Sequence, residues 1–112
     1  MTYEKLVRDR IPATLDAAGV RYEARRAAPD EMPALLIAKL QEEIAELLAA
    51  TSDDEVLEEI ADVFEVLAAL AFQHGADETE TLSRRAAKRE ARGSFDEGIV
   101  LRWTGTPDDD SA

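Results

Sequence analysis

The sequence contains no cysteine and only one histidine, His74, among its 112 residues. Without thiols the chain forms no disulfide and offers no thiolate to a metal ion. No Glu-x-x-His pair is present, which argues against a di-iron carboxylate bundle. His74 directly precedes Gly75, so capping of a helix end is favoured over catalysis for this side chain. Any metal site in this chain is therefore expected to use oxygen ligands.

Long apolar runs and an excess of positive charge are also absent. No apolar stretch approaches the roughly 20 residues that span a bilayer. Charged residues follow Met1 almost at once, which is unlike a signal peptide. The formal net charge of -12 makes the chain a poor non-specific binder of nucleic acid or anionic membrane. We therefore expect a cytoplasmic protein with no nucleic-acid or membrane partner.

The few glycines and prolines punctuate a chain that is otherwise rich in helix-forming residues. Pro12 and Gly19 delimit a short helix at about 12–18, because proline suits a first helical turn and glycine a helix end. Two long helices are predicted at about 31–50 and 53–74, and a basic helix at about 78–92. The short connection predicts that the long helices are antiparallel neighbours. The expected fold is a mainly α, antiparallel helical bundle.

Two short segments are candidates for strands outside this helical pattern. Residues 20–26 alternate weakly between polar and apolar side chains, and residues 98–103 are rich in β-branched and aromatic ones. We predict a small two-stranded pairing of these segments. The whole of residues 1–103 then forms a single domain, and the polar, acidic residues 104–112 form a disordered tail.

Two acidic signatures lie in the long helices. Glu43 and Glu46 are three residues apart in the first, and Glu59 and Asp62 are three apart in the second, so each pair shares a helix face. Antiparallel packing brings the two pairs together. Four carboxylates in one place repel one another unless a cation lies between them, and oxygen ligands suit Mg²⁺ or Mn²⁺ better than zinc or copper.

The position of these acids on their helices separates them from ordinary surface charges. At about 100° per residue, Glu43 falls at the edge of the apolar stripe of the first long helix. Glu59 falls inside the apolar arc of the second, whereas Glu58 and Glu65 fall on its opposite face. A carboxylate on a core-facing stripe is costly unless it is paired or binds a metal. A solvated acidic face is the competing interpretation, and it does not explain Glu59.

Glu42-Glu43-x-x-Glu46 followed by Glu59-x-x-Asp62 resembles the MazG-like nucleoside triphosphate pyrophosphohydrolases. These belong to the all-α superfamily that includes dimeric dUTPases and phosphoribosyl-ATP pyrophosphohydrolases. Lys5 to Pro12 is similar to the Lys-Leu-Val-Arg-Asp-Lys-Ile-Pro start of one small branch, with Arg10 in place of lysine. Residues 92–95 are similar to its Gly-Gly-Phe segment, with Ser94 in place of the second glycine.

The resemblance implies an enzyme that hydrolyses nucleoside triphosphates between the α- and β-phosphates, giving a nucleoside monophosphate and pyrophosphate. It implies a homodimer or homotetramer and a role in removing unwanted nucleotides. The implied cofactor is Mg²⁺, with Mn²⁺ as a substitute, and the implied ligands are Glu43, Glu46, Glu59 and Asp62.

The same chemistry needs a general base and cations for the phosphate oxygens. The candidate bases are Glu46 and Glu42, although Glu42 projects away from the apolar stripe. The candidate phosphate-binding residues are Lys39, Lys88, Arg89 and Arg92, with Arg8 and Arg10 less favoured. For Lys39 an ion pair with Glu43 one turn away is an equally good interpretation. For the three cations of the basic helix, favourable charges near a helix C-terminus are the alternative.

Two other functions are compatible with these motifs. One is phosphoribosyl-ATP pyrophosphohydrolysis, a step of histidine biosynthesis within the same superfamily. The other, from a different class, is a catalytically silent helical dimerisation module. The intact acid pairs argue against the silent module, because an idle carboxylate at Glu59 costs stability.

Overall fold

The computed structural model describes residues 4–105, and all the regular structure in that part of the chain is helical. α1 spans Ile11–Ala17, α2 Met32–Ala49, α3 Asp53–Gln73 and α4 Glu78–Arg92, and a 3₁₀ turn, Pro29–Glu31, leads into α2. The prediction of a mainly α chain is confirmed. Each predicted helix is present, with ends within one or two residues of those expected.

Local side-chain contacts fix the start and end of α3. Ser52 is its N-cap, and the Ser52 Oγ accepts a hydrogen bond from the Glu55 backbone N–H at 3.1 Å. The Glu55 carboxylate in turn accepts from the Thr51 backbone N–H at 2.9 Å. Gly75 follows the helix with a φ of +87°, a left-handed conformation that favours glycine. These contacts satisfy backbone groups that a helix end leaves unpaired.

A side-chain cap and a glycine with positive φ also mark the two ends of α4. Asp77 Oδ1 accepts from the Glu80 backbone N–H at 2.8 Å, which caps the first turn. Gly93 has a φ of +84° and ends the helix. Arg89 and Arg92 lie in the last turn, where positive charge is favourable to the helix dipole.

α2 and α3 pack against each other and are joined by residues 50–52 alone. Because so short a connection reverses the chain, the two helices are antiparallel neighbours as predicted. Leu36 of α2 and Val66 of α3 are the fully buried apolar residues of the described chain. The rest of the predicted apolar stripes is half-buried or exposed, including Ile44 and Leu67. The apolar contact between α2 and α3 is therefore narrow.

The predicted pairing of residues 20–26 with residues 98–103 is wrong. Neither segment forms a strand, and within residues 4–105 no strand is present. Ile99, Val100 and Leu101 are largely exposed, and Arg25 instead pairs with Glu31 through two N–H···O contacts of 2.9 and 3.0 Å. A strand needs a partner that accepts its backbone hydrogen bonds, and strand propensity alone does not supply one.

The contacts within the chain divide it into Met1–Thr81 and Leu82–Ala112, with the boundary inside α4. The first unit holds α1, α2 and α3. The second holds most of α4 and the extended residues that follow it. The single domain over 1–103 stays a prediction, and most of the predicted tail, from residue 106 onward, lies outside the described residues.

No helix among the described residues combines the length and the apolar character that crossing a bilayer requires.

Candidate metal centre

Three carboxylates from α2 and α3 converge in the first unit of the chain. Glu43 and Glu46 of α2 and Glu59 of α3 each place one oxygen so that all three lie within 4.8 Å of one another. The spacing of three residues puts the two α2 acids on one face, and antiparallel packing brings α3 alongside it. The structure therefore brings together three of the four acids that the sequence predicts to meet.

The three side chains of the cluster differ in their exposure to solvent. Glu43 is fully buried, with 6% of its surface exposed, Glu59 is half-buried, and Glu46 is exposed. One oxygen each of Glu43 and Glu59, in both cases Oε2, is buried and has no hydrogen-bond partner within residues 4–105. A buried oxygen without a donor is costly. Two such atoms beside a third carboxylate form a site that a cation would stabilise.

The electrostatics of the cluster disfavour full ionisation. Burial raises the pKa of Glu43, and the neighbouring Glu46 carboxyl raises it further, while Lys39 partly offsets both effects. Burial also raises the pKa of Glu59, and the charges of Glu46, Asp62 and Glu43 add to it. Both shifts have the direction expected of carboxylates forced together in a region with little water. A bound cation reverses this preference, because it favours the charged form.

Asp62, the fourth predicted ligand, is not among the three converging acids. Its Oδ1 accepts a hydrogen bond from Arg8 Nη2 at 2.8 Å. The charge of Asp62 nevertheless acts on Glu59 and raises its pKa. Asp62 therefore lies at the α3 side of the cluster, in an ion pair with a cation from the N-terminal part of the chain.

Glu42 and Lys39 are held in ion pairs at the α2 side. Lys39 Nζ lies 3.3 Å from Glu43 Oε1 and 3.5 Å from Glu42 Oε2, so the ion-pair interpretation of Lys39 is what the structure shows. Lys5 Nζ lies 3.2 Å from Glu42 Oε1. Burial by itself would raise the pKa of Glu42, but the hydrogen bond from Lys5 and the charge of Lys39 together lower it.

The other predicted phosphate-binding residues belong to the second unit. Lys88, Arg89 and Arg92 lie on the last part of α4 and have exposed side chains. Their role in phosphate binding stays a prediction.

Lys5 and Arg8 contact the acids around the cluster. The sequence predicts Arg8 as a less favoured phosphate-binding residue and does not predict Lys5 as a site residue. Lys5 is 37 residues from Glu42 and Arg8 is 54 residues from Asp62 in the sequence. Helical periodicity connects residues three or four apart and says nothing at such separations. The only local signal was the concentration of cations in residues 5–10, ahead of α1.

The chain can hold a divalent cation with the groups that are present. All donors at the cluster are carboxylate oxygens, which suit hard cations such as Mg²⁺ and Mn²⁺. Glu43 and Glu59 each also contribute a buried oxygen that has no hydrogen-bond partner among the described residues. Glu46 is the exposed member of the cluster and is in contact with solvent.

Comparison with known proteins places the chain in a family. It is 50% identical over 54 residues to an uncharacterised protein of Mycolicibacterium smegmatis, a match that covers 48% of this chain and 55% of the relative. The chain thus spans about half the length of the curated relative that it matches. No solved structure matches it. Residues 2–89, which include all the acids of the cluster, match the phosphoribosyl-ATP pyrophosphohydrolase family, and the chain therefore belongs to that family.

Proposed function

We propose that this protein is a divalent-metal-dependent pyrophosphohydrolase of nucleoside triphosphates. It cleaves between the α- and β-phosphates and releases a nucleoside monophosphate and pyrophosphate. Membership of the family supports the class of reaction, which is pyrophosphate release from a nucleotide. The observation that carries the proposal is the convergence of Glu43, Glu46 and Glu59, with two of their buried oxygens unpartnered.

In this proposal the metal ligands are Glu43, Glu46 and Glu59, with Asp62 as the fourth. Mg²⁺, or Mn²⁺ in its place, supplies positive charge that stabilises the charge developing on the phosphates during hydrolysis. Glu43 and Glu59 come from facing helices, so the packing of α2 on α3 fixes their separation. The burial of Glu43 keeps water away from its side of the cluster, where charge interactions are stronger.

A general base must take the proton of the attacking water, and the structure favours Glu46 over Glu42 for that role. Glu46 is exposed and belongs to the cluster, so it can reach both water and substrate. Glu42 is occupied by Lys5 and Lys39, and its lowered pKa makes it a weaker base. Glu42 is therefore better suited to orienting Lys39 than to accepting a proton.

The substrate phosphates carry several negative charges, which an acidic chain repels without local cations. Lys39 lies beside the cluster, and in our proposal it contributes positive charge there. The cations of α4, Lys88, Arg89 and Arg92, are the further phosphate-binding residues that the sequence suggests.

The experiment that tests this function is a pyrophosphate-release assay at saturating Mg²⁺. The substrates are a panel of standard and modified nucleoside triphosphates together with phosphoribosyl-ATP. We expect Mg²⁺-dependent release that falls at least about 100-fold when Glu59 is replaced by glutamine, because loss of a ligand should cost no less than loss of a group that supports one. Preference for a nucleoside triphosphate over phosphoribosyl-ATP supports a role in nucleotide clearance rather than histidine biosynthesis.

The matched control is Glu58→Gln, which removes the adjacent carboxylate on the exposed side of α3. It should retain wild-type activity. Folded wild-type protein that releases no pyrophosphate from any of these substrates would contradict the proposal and favour a silent helical module. Equal activity in the Glu59→Gln and Glu58→Gln proteins would place the chemistry away from the cluster.

We also propose that the protein functions as a homodimer or homotetramer. The large apolar side chains that α2 and α3 expose support this, among them Ile37, Leu48, Leu57, Phe64 and Phe72. Where such side chains form one continuous surface, that surface commonly marks a protein interface. A second copy of the same helices would supply a surface of matching character.

A further inference from the structure

The N-terminal segment, residues 5–8, reaches both long helices at the edge of the carboxylate cluster. Lys5 contacts Glu42 of α2 at 3.2 Å, and Arg8 contacts Asp62 of α3 at 2.8 Å. These two acids flank the converging carboxylates, one on each helix. The segment thus bridges α2 and α3 next to the candidate metal centre and brings two cations to it. All of these contacts lie within the first unit of the chain.

The Arg8 side chain keeps much of its binding capacity while it holds Asp62. A guanidinium has five N–H donors in a planar fork, and the contact with Asp62 uses one of them, on Nη2. The side chain is 56% exposed, so an incoming ligand can reach it. The Asp62 carboxylate fixes the orientation of the guanidinium, which reduces the entropy lost when a further group binds.

The balance of charges around the cluster indicates that an anionic substrate needs a cation to bind it. Five carboxylates, those of Glu42, Glu43, Glu46, Glu59 and Asp62, are in contact with or adjacent to three cations, Lys5, Arg8 and Lys39. With all of them ionised, one divalent ion makes this set neutral. An anionic substrate must then be held by cations that can face it.

Arg8 is better placed for that purpose than Lys39. Lys39 is 16% exposed and holds Glu42 and Glu43 together. Arg8 is exposed and makes its contact at the outer edge of the cluster. Its planar fork also matches two phosphate oxygens at once, which a lysine ammonium does not.

We propose that Arg8 is a substrate-binding residue that holds a phosphate group of the polyphosphate chain, with Asp62 orienting its guanidinium. This inference rests on the proposed pyrophosphohydrolase function and adds to it the residue that recognises phosphate beside the metal centre. Lys5 supports the arrangement, because its contact with Glu42 anchors the segment that carries Arg8.

The test measures the binding of inorganic pyrophosphate at saturating Mg²⁺ by isothermal titration calorimetry. The variants are Arg8→Gln and Arg8→Lys, and the matched control is Arg21→Gln, which removes an equal charge from an exposed position between α1 and α2. We expect Arg8→Gln to weaken binding about 10- to 100-fold, as loss of a charge-assisted contact does. Arg8→Lys keeps the charge but not the fork, so it should fall between Arg8→Gln and the wild type.

A steady-state assay with a nucleoside triphosphate separates binding of the substrate from a purely structural role. If Arg8 holds phosphate, Arg8→Gln raises KM by a larger factor than it lowers kcat. If Arg8 only neutralises Asp62, pyrophosphate affinity and KM stay within twofold of the Arg21→Gln values, and the inference is overturned. Melting temperatures of the variants, measured without ligand, show whether each is folded. If Arg8→Gln is unfolded, Arg8→Lys decides, and wild-type affinity there overturns the inference.

These outcomes distinguish the inference from the function on which it rests. Wild-type protein that releases and binds pyrophosphate, together with a normal Arg8→Gln variant, refutes the role of Arg8 alone. Wild-type protein that neither hydrolyses nucleotides nor binds pyrophosphate with Mg²⁺ refutes the proposed function and the role of Arg8 together.

Discussion

Helix α2 contains the most buried charged residue of the described chain and, one and a half turns later, one of its most exposed large apolar residues. Glu43 is 6% exposed and Leu48 is 81% exposed. In an ordinary globular domain the positions would be reversed, because burial favours apolar groups and disfavours charges. Both arrangements cost free energy in a single chain.

The two residues differ in the kind of partner that would remove this cost. Glu43 lies near other carboxylates and has a buried oxygen without a partner among the described residues, so a bound cation would stabilise it. Leu48 is an exposed apolar side chain, as are Phe64 and Phe72 of α3, and burial against an apolar surface of another protein would remove its cost. In our proposal, stability is given up in one region for a metal ion and in the other for an interface between copies of the chain.

The largest effect should come from removing exposed apolar side chains. We expect the double substitution Leu48→Ser and Phe64→Ser to convert a homo-oligomer into monomers, because burial of each side chain at an interface contributes about 1.5–3 kcal/mol. Each subunit of the oligomer loses this interface free energy. Analytical ultracentrifugation over a range of concentrations measures the change in mass.

The matched control is Glu58→Gln with Glu65→Gln, which alters exposed polar positions of α3 without removing apolar surface. It should keep the wild-type mass. A wild-type protein that is monomeric at all concentrations would contradict the proposal that a second copy of the chain covers Leu48.

A smaller effect is expected from adding metal. Mg²⁺ at 100 times its Kd should stabilise the folded protein by about 2.7 kcal/mol, which is a rise of several degrees in Tm for a chain of this size. Thermal unfolding with and without Mg²⁺ measures it. Glu59→Gln should abolish the rise and Glu58→Gln should preserve it. An equal rise in both variants would mean that the ion binds elsewhere.

The smallest effect is the dependence of stability on pH when no divalent ion is added. The pKa of Glu43 is raised above its ordinary value of 4.5, so the folded state binds more protons than the unfolded state just above that value. The stability that protonated Glu43 contributes is therefore fully present below pH 4.5, and it is lost as the pH rises through the raised pKa of Glu43. A Glu43→Gln protein lacks this loss.

The measurement is the Tm of both proteins between pH 4.5 and 8 in a chelating buffer. The Tm of Glu43→Gln relative to the Tm of the wild type should rise by about a few degrees as the pH rises. A Tm difference that stays constant over this range would show that Glu43 titrates normally and that its burial carries no electrostatic cost.

Much of the helical framework and the centre of the candidate site follow from local sequence patterns. Ser52 and Gly75 mark helix ends through contacts with their immediate neighbours, and these predictions are confirmed. Glu43 and Glu59 were expected beside apolar residues because the helical repeat of 3.6 residues fixes which side chains share a face. The structure shows one of them buried and the other half-buried.

The failures concern contacts between distant parts of the chain. The strands expected at 20–26 and 98–103 required each segment to find the other, and strand propensity contains no information about that. The ion pair of Arg8 with Asp62 joins residues 54 positions apart, and no periodic pattern links them. Ile44 lies on the predicted apolar stripe of α2 and is nevertheless exposed, because a stripe of apolar residues does not say how much of it a neighbouring helix covers.

The three-residue connection between α2 and α3 has a consequence for how the site forms and changes. The converging acids all lie between residues 43 and 59, so the site assembles as this one helical hairpin closes, through contacts that are local in sequence and typical of fast folding. One residue inserted within α3 ahead of Glu59 would rotate that side chain by about 100° away from the α2 acids. The helical repeat and the connection that set the register of these acids all lie within α2, residues 50–52 and α3. The positions of the three carboxylates relative to one another are thus set by the register of this hairpin.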